Sequence, residues 1–275
     1  MSALPSGTFG ERLAAAVARF GPLCVGIDPH PSLLAEWGLT DDDAGLKEFA
    51  GACAEAFAGH VAVVKPQSAF FERHGSRGIA VLEQLLAAFE GTPTLTLLDA
   101  KRGDVGSTMD GYADAYLAIG APLGADAMTL SPYLGFGSLV PALDAAADAG
   151  RGAIVLARTS NPEGADVQLA ALGDRSVAQG IVNAAAARNA GAATLGDVGV
   201  VVGATIDHGL DLTELNGAVL APGLGAQGAG PADIAARFTD VRGVVLPSAS
   251  RSVLRAGPDV ATLRAAALTL RDELG

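Results

Sequence analysis

Short runs of apolar residues recur along the chain, each followed by a polar or glycine-rich turn and then by an alanine-rich stretch with helical spacing. Apolarity within these runs is continuous rather than alternating, which is typical of parallel strands whose two faces are both covered. Eight runs predict strands: Leu23–Asp28, Val61–Pro66, Thr94–Lys101, Asp126–Ser131, Ala153–Arg158, Val198–Ala204, Ala218–Pro222 and Gly243–Ser248. Helical patterns between and around them include Glu11–Phe20, Ile79–Phe89 and Asp259–Leu274.

The number and order of these elements predict the fold class. About eight strand–helix units in roughly 250 residues fit a (β/α)8 barrel more simply than an open, doubly wound sheet. The alternative, a Rossmann-type sheet, would need a GxGxxG turn after the first strand, where this chain has GIDPHPS. No linker or change of composition divides the chain. We therefore predict an α/β protein with a single-domain (β/α)8 barrel over residues 1–275, and its chemistry at the carboxyl ends of the strands.

Charge and composition restrict the partners. The chain has 275 residues, of which 50% are apolar and 17% charged, so it is not a disordered protein. Its net charge is −12, without any cluster of Lys and Arg, which argues against a nucleic-acid partner. The overall field repels anions, so a phosphate-bearing ligand would have to be held by local groups in a small enclosed site.

Cysteine and histidine usage indicates the compartment and argues against a metal. Cys24 and Cys53 have neither CxxC nor metal-ligand spacing, and we expect both to be reduced. The four histidines are scattered, so we predict no structural metal. Neither a signal-peptide pattern nor an apolar run of transmembrane length is evident, and we expect a cytoplasmic protein that does not bind membranes.

Residues 97–108, LLDAKRGDVGST, place charges of both signs directly after an apolar strand. Asp99 and Lys101 are two residues apart, so on a strand both side chains point to the same face, into the barrel mouth. Lys65 ends the neighbouring strand and can reach Asp99 across the mouth. Asp104 lies three residues further on, where the chain has left the strand, and it need not join the same pocket.

Lysines and aspartates that alternate in this way stabilise one another's charged forms. The alternative interpretation is an ordinary salt-bridge network that joins strand ends. The pattern DxKxxD, with a further lysine on the preceding strand, favours a functional site, because residues at the carboxyl ends of barrel strands carry the chemistry of this fold.

Two turns rich in small residues follow the last two strands, APGLGAQGAG at 221–230 and PSASRSV at 247–253. Backbone N–H groups of such turns form an anion-binding cradle, and Arg251 adds a fork of donors suited to phosphate. The GxGxxG spacing in the first turn is a weak signal alone, but the turns stand at the usual phosphate site of barrels. Turns that only close the barrel are the alternative.

With DAKRGD, VVKPQ, GIDP, RTSNP and APGLGAQG, the sequence resembles the orotidine 5′-phosphate decarboxylase family, in particular its mycobacterial-type (type 2) branch. The resemblance implies a homodimeric carboxy-lyase of de novo pyrimidine biosynthesis that converts orotidine 5′-phosphate to uridine 5′-monophosphate (UMP) and CO2 without a cofactor. The alternative is a metal-dependent sugar-phosphate decarboxylase or synthase of the same barrel superfamily. Those relatives bind magnesium and carry Glu where this chain has Lys65.

The resemblance also implies roles for individual residues. Lys101 would be the proton donor, Asp99 would lie against the substrate carboxylate, and Lys65 would contact the ribose and join the charge network. Asp104 and Thr108 would reach the site of the neighbouring subunit. Substrate contacts are further implied for Asp28 (ribose), Ser160 (pyrimidine), Pro222, Gly223, Gln227 (phosphate and pyrimidine), Ser250 and Arg251 (phosphate). Ser250 departs from the family pattern, in which Gly commonly precedes the Arg, although a Ser amide can still donate.

Overall fold

The structure, a computed structural model, describes residues 6–225 and 228–275. Its strands are β1 Cys24–Ile27, β2 Val63–Pro66, β3 Leu95–Arg102, β4 Ala127–Leu130, β5 Gly152–Arg158, β6 Ala171–Leu172, β7 Arg175–Ser176, β8 Val198–Val202, β9 Gly217–Pro222 and β10 Gly243–Ala249. All except β6 and β7 form one closed barrel of parallel strands, completed where β1 pairs with β10. The predicted (β/α)8 barrel is confirmed, and each of the eight predicted strands lies within two residues of its observed bounds.

Helices surround the barrel. They are α1 Phe9–Phe20, α2 Pro31–Glu36, α3 Asp43–Phe57, α4 Ser68–Glu72, α5 Gly75–Ala88, α6 Gly106–Tyr116, α7 Val140–Asp148, α8 Ala165–Gln168, α9 Val177–Asn189, α10 Pro231–Arg237, α11 Arg251–Leu254 and α12 Val260–Asp272. Side-chain caps fix the first turn of both terminal helices: Thr8 and Glu11 form a capping box on α1, and Asp259 accepts from Thr262 N–H on α12. Within the described residues, none of these helices combines the length and apolarity needed to span a membrane.

Side chains on the barrel strands divide into an inner and an outer core because successive residues point to opposite faces. The outer core, with Leu98 and Val155, packs against the helices. The inner core contains Leu97 and Ile154, and Phe9 of α1 packs into the same cluster. A Cβ on Gly152 would lie 2.2 Å from the Phe9 ring, so the missing side chain at this position leaves room for α1 to pack. Helix α1 therefore closes the amino end of the barrel, and the carboxyl end remains open for chemistry.

The sequence patterns do not predict the elements between β5 and α9. The segment between them contains a short 3₁₀ turn at Pro162–Gly164, helix α8, and the antiparallel hairpin of β6 and β7. This segment follows the carboxyl end of β5, and so it stands at the rim of the barrel mouth.

Candidate active site

Three charged side chains meet at the carboxyl ends of β2 and β3. Lys65 Nζ donates to Asp99 Oδ2 at 3.0 Å, and Lys101 Nζ donates to Asp99 Oδ1 at 2.5 Å. The two strands are neighbours in the barrel, which explains how residues so far apart in sequence converge. The side chains of Lys65 and Asp99 are about nine-tenths buried, whereas that of Lys101 is 43% exposed. One ammonium group of the cluster is thus open to a ligand in the mouth.

The electrostatics of the cluster favour its ionised form. Burial opposes the charge on Asp99, but the ammonium groups of Lys65 and Lys101 outweigh it and hold the pKa of Asp99 well below its usual range. Burial also opposes the charge on Lys65, and the carboxylates of Asp99 and Asp28 outweigh that effect, so the pKa of Lys65 is raised. Asp99 and Lys65 are therefore both charged at neutral pH.

The backbone at Lys101 is unusual. Its φ of 50° lies in the left-handed region, which costs a residue with a side chain about 1 kcal/mol or more. The pairing of β3 with β4 shifts register between Leu98 and Arg102, so β3 bulges at this point. Thr129 of β4 accepts a hydrogen bond from Lys101 N–H at 2.9 Å and donates one to Asp99 Oδ1 at 2.9 Å. Sequence reasoning missed Thr129, whose only signal is one hydroxyl inside an apolar strand.

Two buried polar atoms stand where β1 and β10 adjoin. Asp28 Oδ1 and Ser250 Oγ are buried and have no hydrogen-bond partner in the described part of the chain. A Cβ on Gly26 would lie 2.7 Å from Ser250 Cβ and 3.3 Å from Asp28 Oδ2, so the glycine leaves room for both side chains. Because buried polar groups are normally hydrogen-bonded, these atoms mark a place where a polar ligand group can bind.

A glycine turn follows β9. Strand β9 ends at Pro222, and Gly223 and Gly225 have φ values of 123° and 75°, in the region that favours glycine. Gly225 N–H donates to Ala229 O at 2.8 Å and closes the turn.

This turn lies beside the predicted phosphate-binding arginine. A Cβ on Gly225 would lie 2.9 Å from Ser252 Oγ, so the turn packs against the start of α11, whose first residue is Arg251. Arg251 is exposed, and it forms no salt bridge with the residues that the structure describes. Gln227 lies outside the described residues.

The loop that carries Ser160 is held from two sides. Thr159 N–H and the Arg158 guanidinium both donate to Gln168 Oε1, at 2.9 and 3.1 Å, which ties the loop to α8. On the other side, a Cβ on Gly203 would lie 2.9 Å from Ser160 N, so the end of β8 approaches the loop closely. Ser160 is half-buried at the mouth.

Asp104 and Thr108 stand apart from the cluster. Asp104 is half-buried and accepts a hydrogen bond from Val105 N–H at 2.8 Å, and Thr108 is exposed on α6. Between residues 6 and 225 and between 228 and 275, neither is joined to Asp99 or Lys101 by a hydrogen bond or salt bridge. The structure therefore does not bring these two residues into the charge cluster of their own chain.

Arg102, the remaining charge of the LLDAKRGDVGST stretch, faces away from the mouth. It forms a salt bridge with Glu72 of α4, and its guanidinium lies 5.8 Å from the ring centre of Tyr112 and 5.9 Å from that of Tyr116. These contacts join α4 and α6 to the end of β3 and give Arg102 a structural role.

Among the described residues, the cysteines and the carboxylates outside the charge cluster form no further centre. Cys24 and Cys53 are both free and buried, and burial raises the pKa of the Cys24 thiol to about 12. Over the residues that the structure describes, no three His, Cys, Asp or Glu side chains are grouped so as to hold a metal ion.

Comparison with known proteins gives one consistent family. The profile of the "Orotidine 5'-phosphate decarboxylase / HUMPS family" matches residues 21–266. Proteins named orotidine 5′-phosphate decarboxylase from Salinispora arenicola and Streptomyces coelicolor are 59% and 56% identical, each over 94% of both chains. A solved structure from Streptomyces avermitilis is 54% identical, with a TM-score of 0.94 over 100% of this chain and 96% of that one. The structure of Leishmania donovani OMP decarboxylase is 30% identical, with a TM-score of 0.74 over 97% of each chain.

Proposed function

The chain belongs to the orotidine 5′-phosphate decarboxylase / HUMPS family, and from this premise we propose how its barrel mouth works. Its activity is the decarboxylation of orotidine 5′-phosphate to UMP, as its relatives' names and its fold together support. The proposal assigns roles to individual residues. Lys101 is the proton donor, Asp99 and Lys65 form the charge network beside it, and the glycine turn and Arg251 bind the phosphate.

The assignment of Lys101 as the proton donor rests on one observation. The ammonium of Lys101 is hydrogen-bonded to Asp99 at 2.5 Å and its side chain is still 43% exposed toward the mouth. A cation in this place can stabilise negative charge that develops on a bound substrate, because it is oriented before the reaction begins.

The step balances without an electron sink. The bond between C6 of the pyrimidine and the carboxylate carbon breaks, CO2 leaves, and the electron pair stays on C6. A proton then moves from Lys101 Nζ to C6, giving UMP, and the neutral amine regains a proton from solvent. Asp99 lies beside the leaving carboxylate, where like charges disfavour the bound substrate relative to the transition state. The proposal requires no cofactor.

Binding is assigned to the polar groups around the mouth. The buried Oδ1 of Asp28 suits a ribose hydroxyl, which can donate to it, the amide or hydroxyl of Ser250 suits a ribose or phosphate oxygen, and Ser160 suits the pyrimidine edge. Gly223 begins a glycine turn, a backbone shape that suits an anion, and Arg251 offers an exposed guanidinium fork. Because the net charge is −12, these local donors must outweigh a repulsive field. Pro222 and Gln227 stay predicted members of the same subsite.

A homodimer with shared sites completes the proposal. Asp104 and Thr108 do not reach the cluster of their own chain, which supports their predicted place in the site of a second copy. Apolar side chains on the neighbouring loops are exposed, Val105 by 54% and Tyr133 by 79%, and a subunit interface would bury them. The two loops touch, since a Cβ on Gly103 would lie 2.2 Å from the Ser131 carbonyl oxygen.

Three further predictions concern the pathway, the domain bounds and the location of the protein. A place in de novo pyrimidine biosynthesis follows from the activity. The domain bounds 1–275 and a cytoplasmic location stay predictions, the latter supported by two free, buried cysteines.

A matched pair of lysine variants tests the assignment. Lys101→Ala should bind UMP and yet lose turnover of orotidine 5′-phosphate, followed by the fall in ultraviolet absorbance, by about 10³-fold or more, because it removes both the cation and the proton donor. Lys47→Ala, on the exposed face of α3, should turn over like the wild type. EDTA should leave the wild-type rate unchanged, whereas the metal-dependent alternative predicts that EDTA abolishes activity. Near-normal turnover of Lys101→Ala would contradict the assignment of Lys101 as the proton donor.

A further inference from the structure

Thr129 is absent from the predicted site residues, yet it contacts two of them. We propose that Thr129 is a positioning residue for the decarboxylation: its hydroxyl fixes the backbone of Lys101 and the Asp99 oxygen that holds the Lys101 ammonium. This inference rests on the proposed role of Lys101 and says what places that donor in the mouth.

The direction of both hydrogen bonds follows from the chemistry of the partners. The backbone N–H of Lys101 can only donate, so Thr129 Oγ1 accepts from it at 2.9 Å. The ionised carboxylate of Asp99 can only accept, so the hydroxyl proton of Thr129 points to Asp99 Oδ1 at 2.9 Å. The hydroxyl is therefore locked in one orientation, with one partner on each side.

These bonds close a ring around the donor. Asp99 Oδ1 receives both the Thr129 hydroxyl and, at 2.5 Å, the Lys101 ammonium, while Lys65 binds the other oxygen. The ring runs from Lys101 N through Thr129 Oγ1 and Asp99 Oδ1 to Lys101 Nζ. The Thr129 hydroxyl thus fixes the backbone of Lys101 directly and its ammonium group through Asp99.

The backbone of Lys101 needs such a constraint. Its φ of 50° is uncommon for a residue with a side chain, and the bulge between Leu98 and Arg102 leaves it outside the regular pairing of β3 with β4. Thr129 stands opposite this bulge and is fully buried, so water does not compete for its hydroxyl. A conformation that is uncommon and pinned from the facing strand is characteristic of a residue whose position is functional.

The test compares variants that differ by the hydroxyl. Thr129→Val keeps the shape and removes the group, and we expect kcat for orotidine 5′-phosphate to fall about tenfold or more while KM changes less than about threefold. Thr129→Ser keeps the group, and its kcat should return to within about threefold of the wild type. Thr94→Val is the control: it removes another buried threonine hydroxyl, bonded to Val61 O at 2.8 Å before the amino end of β3, and should leave kcat unchanged.

The outcomes separate this inference from the proposed function. A folded Thr129→Val with unchanged kcat, or a Thr129→Ser as slow as Thr129→Val, contradicts the positioning role. If Thr129→Val does not fold, Thr129→Ala and Thr129→Ser make the same comparison, and equal kcat values contradict it. Lys101→Ala, measured beside them, reports on the proposed function alone: an inactive Lys101→Ala with a fully active Thr129→Val overturns only the role of Thr129.

Discussion

The charge of Asp99 is the feature on which the site depends. It is buried and accepts from Lys65, Lys101 and Thr129, so three donors share its two carboxylate oxygens. Alternation along β3 predicts that Asp99 and Lys101 share a face, and the position of Lys65 at the end of the neighbouring strand predicts that it reaches Asp99. Neither pattern predicts the role of Thr129, because a threonine in an apolar strand is an ordinary β residue, and only the bulge opposite gives it a different role.

The low pKa of Asp99 gives a pH dependence of stability with a definite sign. Unfolded aspartate titrates at about pH 3.9, above the folded value, so the unfolded state binds more protons at low pH and stability rises with pH there. The contribution is fully present above the unfolded pKa and is lost as the pH falls toward the folded one. Asp99→Asn removes this titration, and below about pH 4 its free energy of unfolding should depend on pH less steeply, by up to ~1.4 kcal/mol per pH unit.

Urea unfolding of the wild type and Asp99→Asn between about pH 3 and 6 measures this slope. The variant is also less stable at every pH in the range, because the buried Lys65 loses its salt bridge with Asp99, so the test compares the slopes and not the values. Curves of equal slope would contradict the low pKa of Asp99.

At the level of the elements, the barrel strands were predictable and the pieces at its rim were not. Continuous apolar runs mark the eight barrel strands, because both faces of each are buried. The hairpin of β6 and β7 has two residues per strand and mostly exposed side chains, so it leaves no burial pattern in the sequence. Helix α1 was predicted by its apolar spacing, but its place across the amino end depends on long-range contacts such as Gly10 N–H to Asp197 Oδ1 at 2.8 Å.

The close approach of Gly26 in β1 to Ser250, the residue after β10, leads to a prediction about ligand affinity. Gly26→Ala places a Cβ 2.7 Å from Ser250 Cβ and should displace Ser250 and Asp28, weakening UMP binding about tenfold. Gly51→Ala is the control, because a Cβ there meets nothing within 4 Å on the exposed face of α3.

A second substitution sharpens this test. Ser250→Gly removes the atom that the added methyl group would strike, so the double variant Gly26→Ala, Ser250→Gly should bind UMP more tightly than Gly26→Ala alone, measured by titration calorimetry. Equal affinity of the single and double variants would show that β1 and Ser250 do not share the ligand site.

For the whole molecule, the proposed function requires a second copy of the chain, which would complete a site that one barrel supplies for the most part. Strand order and spacing place the charge cluster, Asp28 and the glycine turn after β9 at one end of one barrel. That Asp104 acts across an interface is a prediction from the family resemblance alone, because a sequence shows no contact between chains. Within the described chain, Asp104 stays outside the cluster, and exposed apolar side chains such as Tyr133 lie on the loop next to it.

Mixing Lys101→Ala and Asp104→Ala, each of which we expect to be inactive alone, tests the proposed shared site and its donor together. In a mixed dimer one site carries both substitutions and the other carries neither. Random exchange of subunits makes about half of the dimers mixed, so turnover of orotidine 5′-phosphate should recover to about a quarter of the wild-type value. Mass spectrometry of the intact dimers verifies the exchange. If mixed dimers form and turnover does not recover, Lys101 and Asp104 do not meet across the interface, and the account of the site is wrong.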